Sequence, residues 1–223
     1  MRAKLSVVIP TFDAEKALAR SLPALVEGLV AGLVCELIIS DGGSGDATVK
    51  IAEAAGASVV EGTPSRGGQL RRGAAVANGE WLLFLHADTV LPQAWAECVI
   101  AHLPTGRPAF FRLRFDHGGA GAQWVAAWAN LRSRLLHLPF GDQGLLISRA
   151  EYDAAGGYCD IPLMEDVALA RALGRRLVPL PMTATTSAAR YLRDGWLRCG
   201  AGNLWLLLRY LCGADPERLA RRY

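Results

Sequence analysis

Short apolar runs alternate with helix-spaced segments through residues 1–90, and this alternation constrains the fold more than any other feature. LSVVI (5–9) ends at Pro10, and CELIIS (35–40), SVVEG (58–62) and EWLLFLHA (80–87) follow it. Each is the length of a buried strand. Between the first two, Ala17, Leu18, Leu22, Leu25, Val26 and Leu29 keep helical spacing over 14–31, and Pro23 predicts a kink or an early break. ATVKIAEAAG (47–56) is a predicted helix closed by Gly56. RGGQLRRGAAVAN (66–78) is a glycine-rich entry into another. The pattern predicts an α/β fold, a doubly wound and mostly parallel sheet with helices on both faces. Sites in such sheets form at the carboxyl ends of the strands. Asp13, Asp41 and Asp88 each stand just past a strand, so one sheet edge is expected to gather them.

The second half is less regular. AFFRLRF (109–115) alternates as a half-exposed strand does, residues 122–138 have helical spacing, and LLIS (145–148) is a short strand. EDVALARALG (165–174) predicts a helix whose acidic first turn suits its positive end. NLWLLLRYLC (203–212) predicts an apolar final helix.

In FLHADTVLP (84–92) an apolar strand runs into His86 and Asp88. Strand residues two apart share a side, so the two can stand together at the strand's end. The pair is either a solvated turn capped by Asp88 or a pair of ligands for a divalent cation. A net charge of +3 argues against a nucleic-acid partner, which needs a strongly basic face. Cysteines 35, 98, 159, 199 and 212 form no CxxC pair and suit buried thiols in a reducing cytosol. The opening MRAKLSVVIP reaches Pro10 after about five apolar residues, short for a signal core. A cytoplasmic chain is therefore expected. IISDGGSGDATVK invites a dinucleotide reading, but the G-x-G-x-x-G template fails at Thr48. Asp46 would also repel a pyrophosphate at the helix start, where it is better suited to capping.

Taken together, SVVIPTFDAE (6–15), LIISDGGSGDAT (37–48), SRGGQLRRGAAVANGEWLLFLHADT (65–89) and FGDQGLLISRAEYDAAGGYCDIPLMEDVALARAL (140–173) resemble the motifs of family 2 glycosyltransferases with the GT-A fold. The likeness covers about residues 5–190. DGGS, RGGQ, HADT, GDQ, LMED, TTSAAR and the tail LCGADPERLARRY further resemble a compact bacterial subfamily labelled as radical-SAM- or selenium-associated, or as acting in arsenosugar biosynthesis. The resemblance implies a glycosyltransferase domain over 1–190, with a nucleotide-binding half (1–90) and an acceptor half (91–190). Residues 191–223 would then be a helical extension.

The implied activity is inverting transfer of a sugar from a nucleotide diphosphate, UDP- or GDP-linked, to an acceptor hydroxyl. Asp166, with Glu165 beside it, takes the place of the general base. Asp88, with His86 as a further candidate ligand and Ala87 between them, takes the place of the family's D-x-D, holding Mn²⁺ or Mg²⁺ with the diphosphate. Asp41 would accept a ring N–H of the base, with Gly43 in the same turn. Pro10 and Thr11 would form the pocket floor, and Asp13 or Glu15 would flank base or ribose, unless these two acids cap the following helix. Arg66, Arg71, Arg72 and Arg190 are candidates to face the diphosphate. Asp142 and Gln143 would face the acceptor, a small molecule or a lipid-linked one. The sequence departs from the family at His86, where D-x-D has its first Asp, and at Gly42, where the usual turn has a second Asp. A catalytically silent nucleotide-sugar-binding domain and a nucleotidyltransferase stay open as alternatives. The glycine-free, acidic PTFDAE turn argues against the nucleotidyltransferase. Residues 191–223, with Trp196, Trp205, Leu206–Leu208, Tyr210, Leu211 and several arginines, would pack on the core, on a second subunit of a homodimer, or peripherally at the inner face of a membrane.

Overall fold

Apolar residues at every position, not at alternate ones, mark strands buried on both faces, and the central strands are of this kind. The computed structural model describes residues 4–221. Its strands are β1 (Leu5–Thr11), β2 (Val34–Asp41), β3 (Ser58–Glu61), β4 (Trp81–Phe84), β5 (Ala109–Phe115), β6 (Leu145–Ser148) and β7 (Val178–Thr186). They form one sheet in the order β3-β2-β1-β4-β6-β5-β7. Only β6 runs against the others. The expected parallel sheet is thus observed, and it draws strands from both expected halves.

Side chains of β4 alternate between two cores. Leu82 and Phe84 join Val8, Ile38, Phe110 and Ile147 on one face. Trp81, Leu83 and Leu85 join Val7, Ile39, Phe111 and Trp95 on the other. Fully burying one such side chain is worth about 1.5–3 kcal/mol, so register is strongly specified. Thr11 pairs with Asp41, and Asp41 with Glu61. The carboxyl ends of β1, β2 and β3 are therefore level. Because β6 is reversed, its entry loop (140–144) reaches that same edge.

The 14–31 segment divides as Pro23 foretells, into a helix (Glu15–Ser21), a 3-10 turn (Leu22–Leu25) and a helix (Val26–Val30). β7 was not foreseen. VPLPMTATT contains two prolines, which a central strand excludes, but β7 is an edge strand. The expected final helix at 203–212 needs correction. The helix runs from Trp196 to Leu211, and a shorter one, Pro216–Ala220, follows it. Gly200 and Gly202 weaken its first half as a helix signal. Leu206 and Leu207 on one of its faces join the main core.

The glycines of RGGQ have a packing reason. Helix Arg66–Val76 is capped by Ser65, whose hydroxyl accepts from Gly68 N and donates to Asp160 at 2.6 Å. A Cβ on Gly67 would lie 2.0 Å from the Cys159 carbonyl oxygen, which is backbone and cannot swing away. Gly67→Ala is expected to cost about 1–3 kcal/mol. In thermal denaturation this would lower Tm by roughly 2–12 °C.

Candidate active site

Two openings meet at the carboxyl edge of the sheet. A cleft of about 360 Å³ is lined by Pro10, Thr11, Phe12, Asp13, Gln69 and Ala87, among others. A cavity of about 260 Å³ is lined by Asp142, Asp166, Met164, Thr186, Arg190 and Tyr191, among others. Arg66, His86 and Asp88 line both. The HAD turn is thus the wall between them.

Asp88 is placed by a two-residue bridge. Val90 and Thr185 exchange backbone hydrogen bonds at 2.8 and 2.9 Å, fastening the turn after β4 to the end of β7. Thr186 Oγ1 then donates to Asp88 Oδ2 at 3.3 Å. Burial raises the Asp88 pKa, against weaker backbone hydrogen bonds, the Thr186 contact and the Arg66 charge. Beside it, burial holds the His86 imidazole down at about 3, with the Arg66 guanidinium adding to the effect. His86 is therefore neutral near pH 7. Its Nε2 is buried without a hydrogen-bond partner, against Gly141, where a Cβ would come within 2.2 Å of it.

Asp166 opens the helix Glu165–Leu173 and faces the cavity. Its Oδ2 accepts from Gly141 N and its Oδ1 from Val167 N, both at 2.7 Å. Burial nevertheless raises its pKa. Glu165 is 1% exposed, with Oε1 lying 3.8 Å from Arg66 Nε and without a hydrogen bond. Burial, and then the Asp166 charge, push it up to about 8 from an ordinary 4.5. Such a carboxyl binds its proton more tightly folded than unfolded, so its stabilising contribution is complete below about pH 4.5 and is lost as pH rises towards about 8. Glu165→Gln is expected to flatten that loss, read as Tm against pH.

Asp142 reaches the same cavity. Burial pushes it up to about 6, the Arg132 guanidinium pulls it back, and Asp166 and Asp88 push it further. Its Oδ1 is buried without a partner. Three carboxyl groups, Asp88, Asp142 and Asp166, thus line one space large enough for a sugar ring.

Three of the expected site residues turn inward instead. Asp41 is 1% exposed. Its Oδ1 accepts from Thr11 Oγ1 (2.7 Å) and Ser44 Oγ (2.6 Å), and its Oδ2 from Gly43 N (2.8 Å) and Ser44 N (2.7 Å). A carboxylate has about four acceptor positions, and all are filled. In this structure Asp41, expected to accept a base N–H, fastens the turn in which Gly43 takes φ 93°. Asp41→Ala should cost about 3 kcal/mol, because buried donors lose their acceptor. Thermal denaturation should then show Tm lower by roughly 6–12 °C.

Gln143 is fully buried, bonded to Ser133, Phe140 and the Phe111 carbonyl, so it does not face an acceptor. Arg72 packs on Gly62 and donates to the Thr63 carbonyl at 3.1 Å, away from both openings. Arg71 is exposed and lines neither.

Asp13 and Glu15 do not cap the helix that follows them. Asp13 Oδ1 accepts from Gly45 N at 2.8 Å and Glu15 Oε2 from Ala47 N at 3.2 Å. In return, Asp13, Ala14 and Glu15 amides donate to Ser44, Thr48 and Asp46. The two turns are laced together, and these amides are not aimed at a phosphate. Asp46 also accepts from Thr48 N at 2.9 Å, but it stands one residue ahead of the N-cap, Ala47, and so is not the cap expected of it. Gln69 fills the space beside Gly42, donating to the Thr11 and Ser40 carbonyls at 2.7 and 2.9 Å.

The sequence reading overlooked Phe12, 55% exposed at the open cleft, Thr186 beside Asp88, and Arg132. Arg132 is 7% exposed, stacked over the Phe140 ring at 3.5 Å. Its spacing of seven from Val125 and three from Ala129, both buried, would have placed it on the inner face of its helix.

Residues 6–155 match the family described as Glycosyl transferase family 2. Over 132 residues the chain is 33% identical to the glucosyl-3-phosphoglycerate synthase of Mycolicibacterium paratuberculosis, an alignment covering 52% of this chain and 40% of that protein. The chain thus spans less than half of that relative's length. Its fold is similar to that of the mannosyltransferase PcManGT from Pyrobaculum calidifontis in complex with GDP-Man and Mn²⁺, with TM-score 0.68, 14% identity, and 97% and 66% of the two chains covered. It is also similar to that of glucosyl-3-phosphoglycerate synthase from Mycobacterium tuberculosis in complex with Mn²⁺, UDP and glucosyl-3-phosphoglycerate, with TM-score 0.57, 24% identity, and 83% and 70% covered. With two-thirds of its length matched in motif order and the expected sheet beneath it, the chain belongs to glycosyl transferase family 2.

Proposed function

We propose that the chain transfers a sugar from a nucleotide diphosphate sugar to an acceptor hydroxyl, with inversion at the anomeric carbon. The observation that carries this reading is the convergence of Asp88, Asp142 and Asp166 on one cavity, with Arg66 and Arg190 in its wall. The base and ribose lie in the open cleft, over Pro10 and Thr11 and beside Phe12. The diphosphate crosses the HAD wall between Arg66 and Arg190. The sugar and acceptor occupy the cavity beyond. Asp166 takes the acceptor proton as the acceptor oxygen bonds to the anomeric carbon. The bond from that carbon to the diphosphate breaks, and its electron pair leaves with the nucleoside diphosphate. One displacement from one face inverts the centre.

The donor set at the wall fits a divalent cation shared with substrate. Among the described residues no three His, Cys, Asp or Glu side chains could hold a metal by themselves, and one carboxylate plus phosphate oxygens is a common shell for Mg²⁺ or Mn²⁺. Asp88 would hold it, with His86 as a second donor of a kind that Mn²⁺ accepts more readily. When bound, the cation supplies charge neutralisation for the departing diphosphate.

Mn²⁺ with UDP or GDP-Man in the related structures supports trying those donors first. The narrower likeness to the radical-SAM- or arsenosugar-associated subfamily supports a place in such a pathway, and a cytoplasmic site of action goes with it. A thermal-shift panel of nucleoside diphosphates and nucleotide sugars, with and without Mn²⁺, tests the reading. A metal-dependent rise for one donor family is expected. No shift with any of them would sink it, and binding without turnover would leave a silent domain.

A further inference from the structure

Among the described residues, two neighbouring helices leave an apolar face without a partner. In Ala120–Leu136, Trp124, Trp128, Leu131 and Leu135 follow one another at intervals of four, three and four, one stripe along the helix. They are 42–64% exposed. In Trp196–Leu211, Leu197, Leu204 and Leu211 recur every seven residues with Leu208 beside them, at 37–75% exposure. The opposite faces are firmly seated, through Val125 and Ala129 on one helix and Leu206 and Leu207 on the other. The helices also touch each other, since a Cβ on Gly121 would meet the Trp196 ring at 2.7 Å. The exposed stripes therefore lie on a rigid base.

The two helices themselves carry charge of one sign, with Asp194 just ahead of the second, near Arg198. Neither helix contains an acidic residue, and Arg134, Arg198 and Arg209 are exposed on them. Arg209 lies over the Trp205 ring at 5.3 Å. A second copy related by a twofold axis would bring the same basic patch against itself, without a carboxylate from either helix to answer it. An anionic lipid surface answers both properties, taking tryptophan and leucine into the boundary layer and arginine at the headgroups. No described helix is long and apolar enough to cross a membrane, which leaves the face as a peripheral contact.

The face also leads to the cleft. Trp128 and Leu204, both in the exposed stripes, line a groove between the two helices. That groove shares Phe140, Asp142, Tyr191 and Asn203 with the cavity containing Asp166. We propose that this two-helix face docks on the surface of an anionic phospholipid bilayer, opening the acceptor side of the cleft towards it. The docking stands on the face alone; the direction of the groove rests on the proposed function.

Sedimentation of the full chain with vesicles of phosphatidylcholine, with and without phosphatidylglycerol, tests it. Binding is expected to the anionic vesicles, and to weaken as salt rises. Arg198→Glu with Arg209→Glu should weaken it at least about tenfold, as should Trp124→Glu with Leu208→Glu. All four side chains are exposed and line neither opening, so the metal-dependent thermal shift by donor should persist in both variants and report that they are folded. Failure to bind either vesicle, or binding by both variants as strong as that of the unmutated chain, overturns the proposal. So does a dimer in light scattering that Trp124→Glu with Leu208→Glu dissociates while vesicles remain unbound. A donor shift without vesicle binding removes this inference alone, whereas vesicle binding without a donor shift removes the proposed function alone.

Discussion

Asp166→Asn is expected to lower the rate of sugar transfer by about 10²–10⁴-fold, the usual worth of a positioned general base, while donor binding persists. Asparagine has nearly the same shape, and its one oxygen can still accept from one of the two amides, Gly141 N or Val167 N, that hold Asp166. It cannot take the acceptor's proton. The loss should therefore fall on kcat, with the donor thermal shift nearly unchanged. The pH profile supplies a second readout. Burial raises the Asp166 pKa, so wild-type activity should fall on the acid side at a pH above that of an ordinary aspartate, as the base becomes protonated. The residual activity of the variant should lack that limb. Transfer at the wild-type rate by Asp166→Asn would remove Asp166 as base, and Asp142, in the same cavity with its pKa near 6, would be the carboxylate to test next.

Asp88→Ala is expected to abolish the metal-dependent part of donor binding. A ligand at a hundred times its Kd stabilises the folded state by about 2.7 kcal/mol, which in a chain of this size raises Tm by roughly 5–11 °C. With Asp88 removed, a donor-plus-Mn²⁺ mixture should raise Tm no further than donor alone. Asp88 takes a long hydrogen bond from Thr186 and weak ones from its own and the Ser187 backbone, while burial works against its charged form, so its removal should leave the unliganded Tm within a degree or two, a change of under about 1 kcal/mol. The contrast with Asp41→Ala is the informative part. Asp41 takes four hydrogen bonds inside the fold, so its removal should lower Tm in the absence of any ligand. If Asp88→Ala retained the full Mn²⁺-dependent shift, the HAD turn would not be the cation site.

Much of the fold was legible because burial writes itself locally. β5 and β6 begin and end where the periodicity puts them, at 109–115 and 145–148. Pro23 breaks the first helical segment by the same covalent rule anywhere. β7 was missed because two prolines argue against a strand unless it lies at an edge, and edge position depends on the other six strands. The long C-terminal helix was half seen for a similar reason: its glycine-bearing first half is held by Cys199 and Trp196 packing, not by intrinsic preference.

The site divides along the same line. Which acids stand at the ends of strands follows from chain order alone, and so Asp88 and the sheet edge could be named from sequence. Whether a carboxylate at that edge meets substrate or is used up inside the protein depends on what lies opposite it. Asp41, Gln143 and Arg72 carry the right chemistry at the right places along the chain, yet Ser44, Ser133 and Gly62 turn them inward. Asp142, Asp166 and Asp88 lie 24 to 78 residues apart along the chain and share a cavity only because β6 runs backwards and Val90 pairs with Thr185. Periodicity and covalent geometry are properties of neighbours in sequence. Hydrogen-bond satisfaction and charge–charge distance are properties of neighbours in space, and those are decided only when the sheet is assembled.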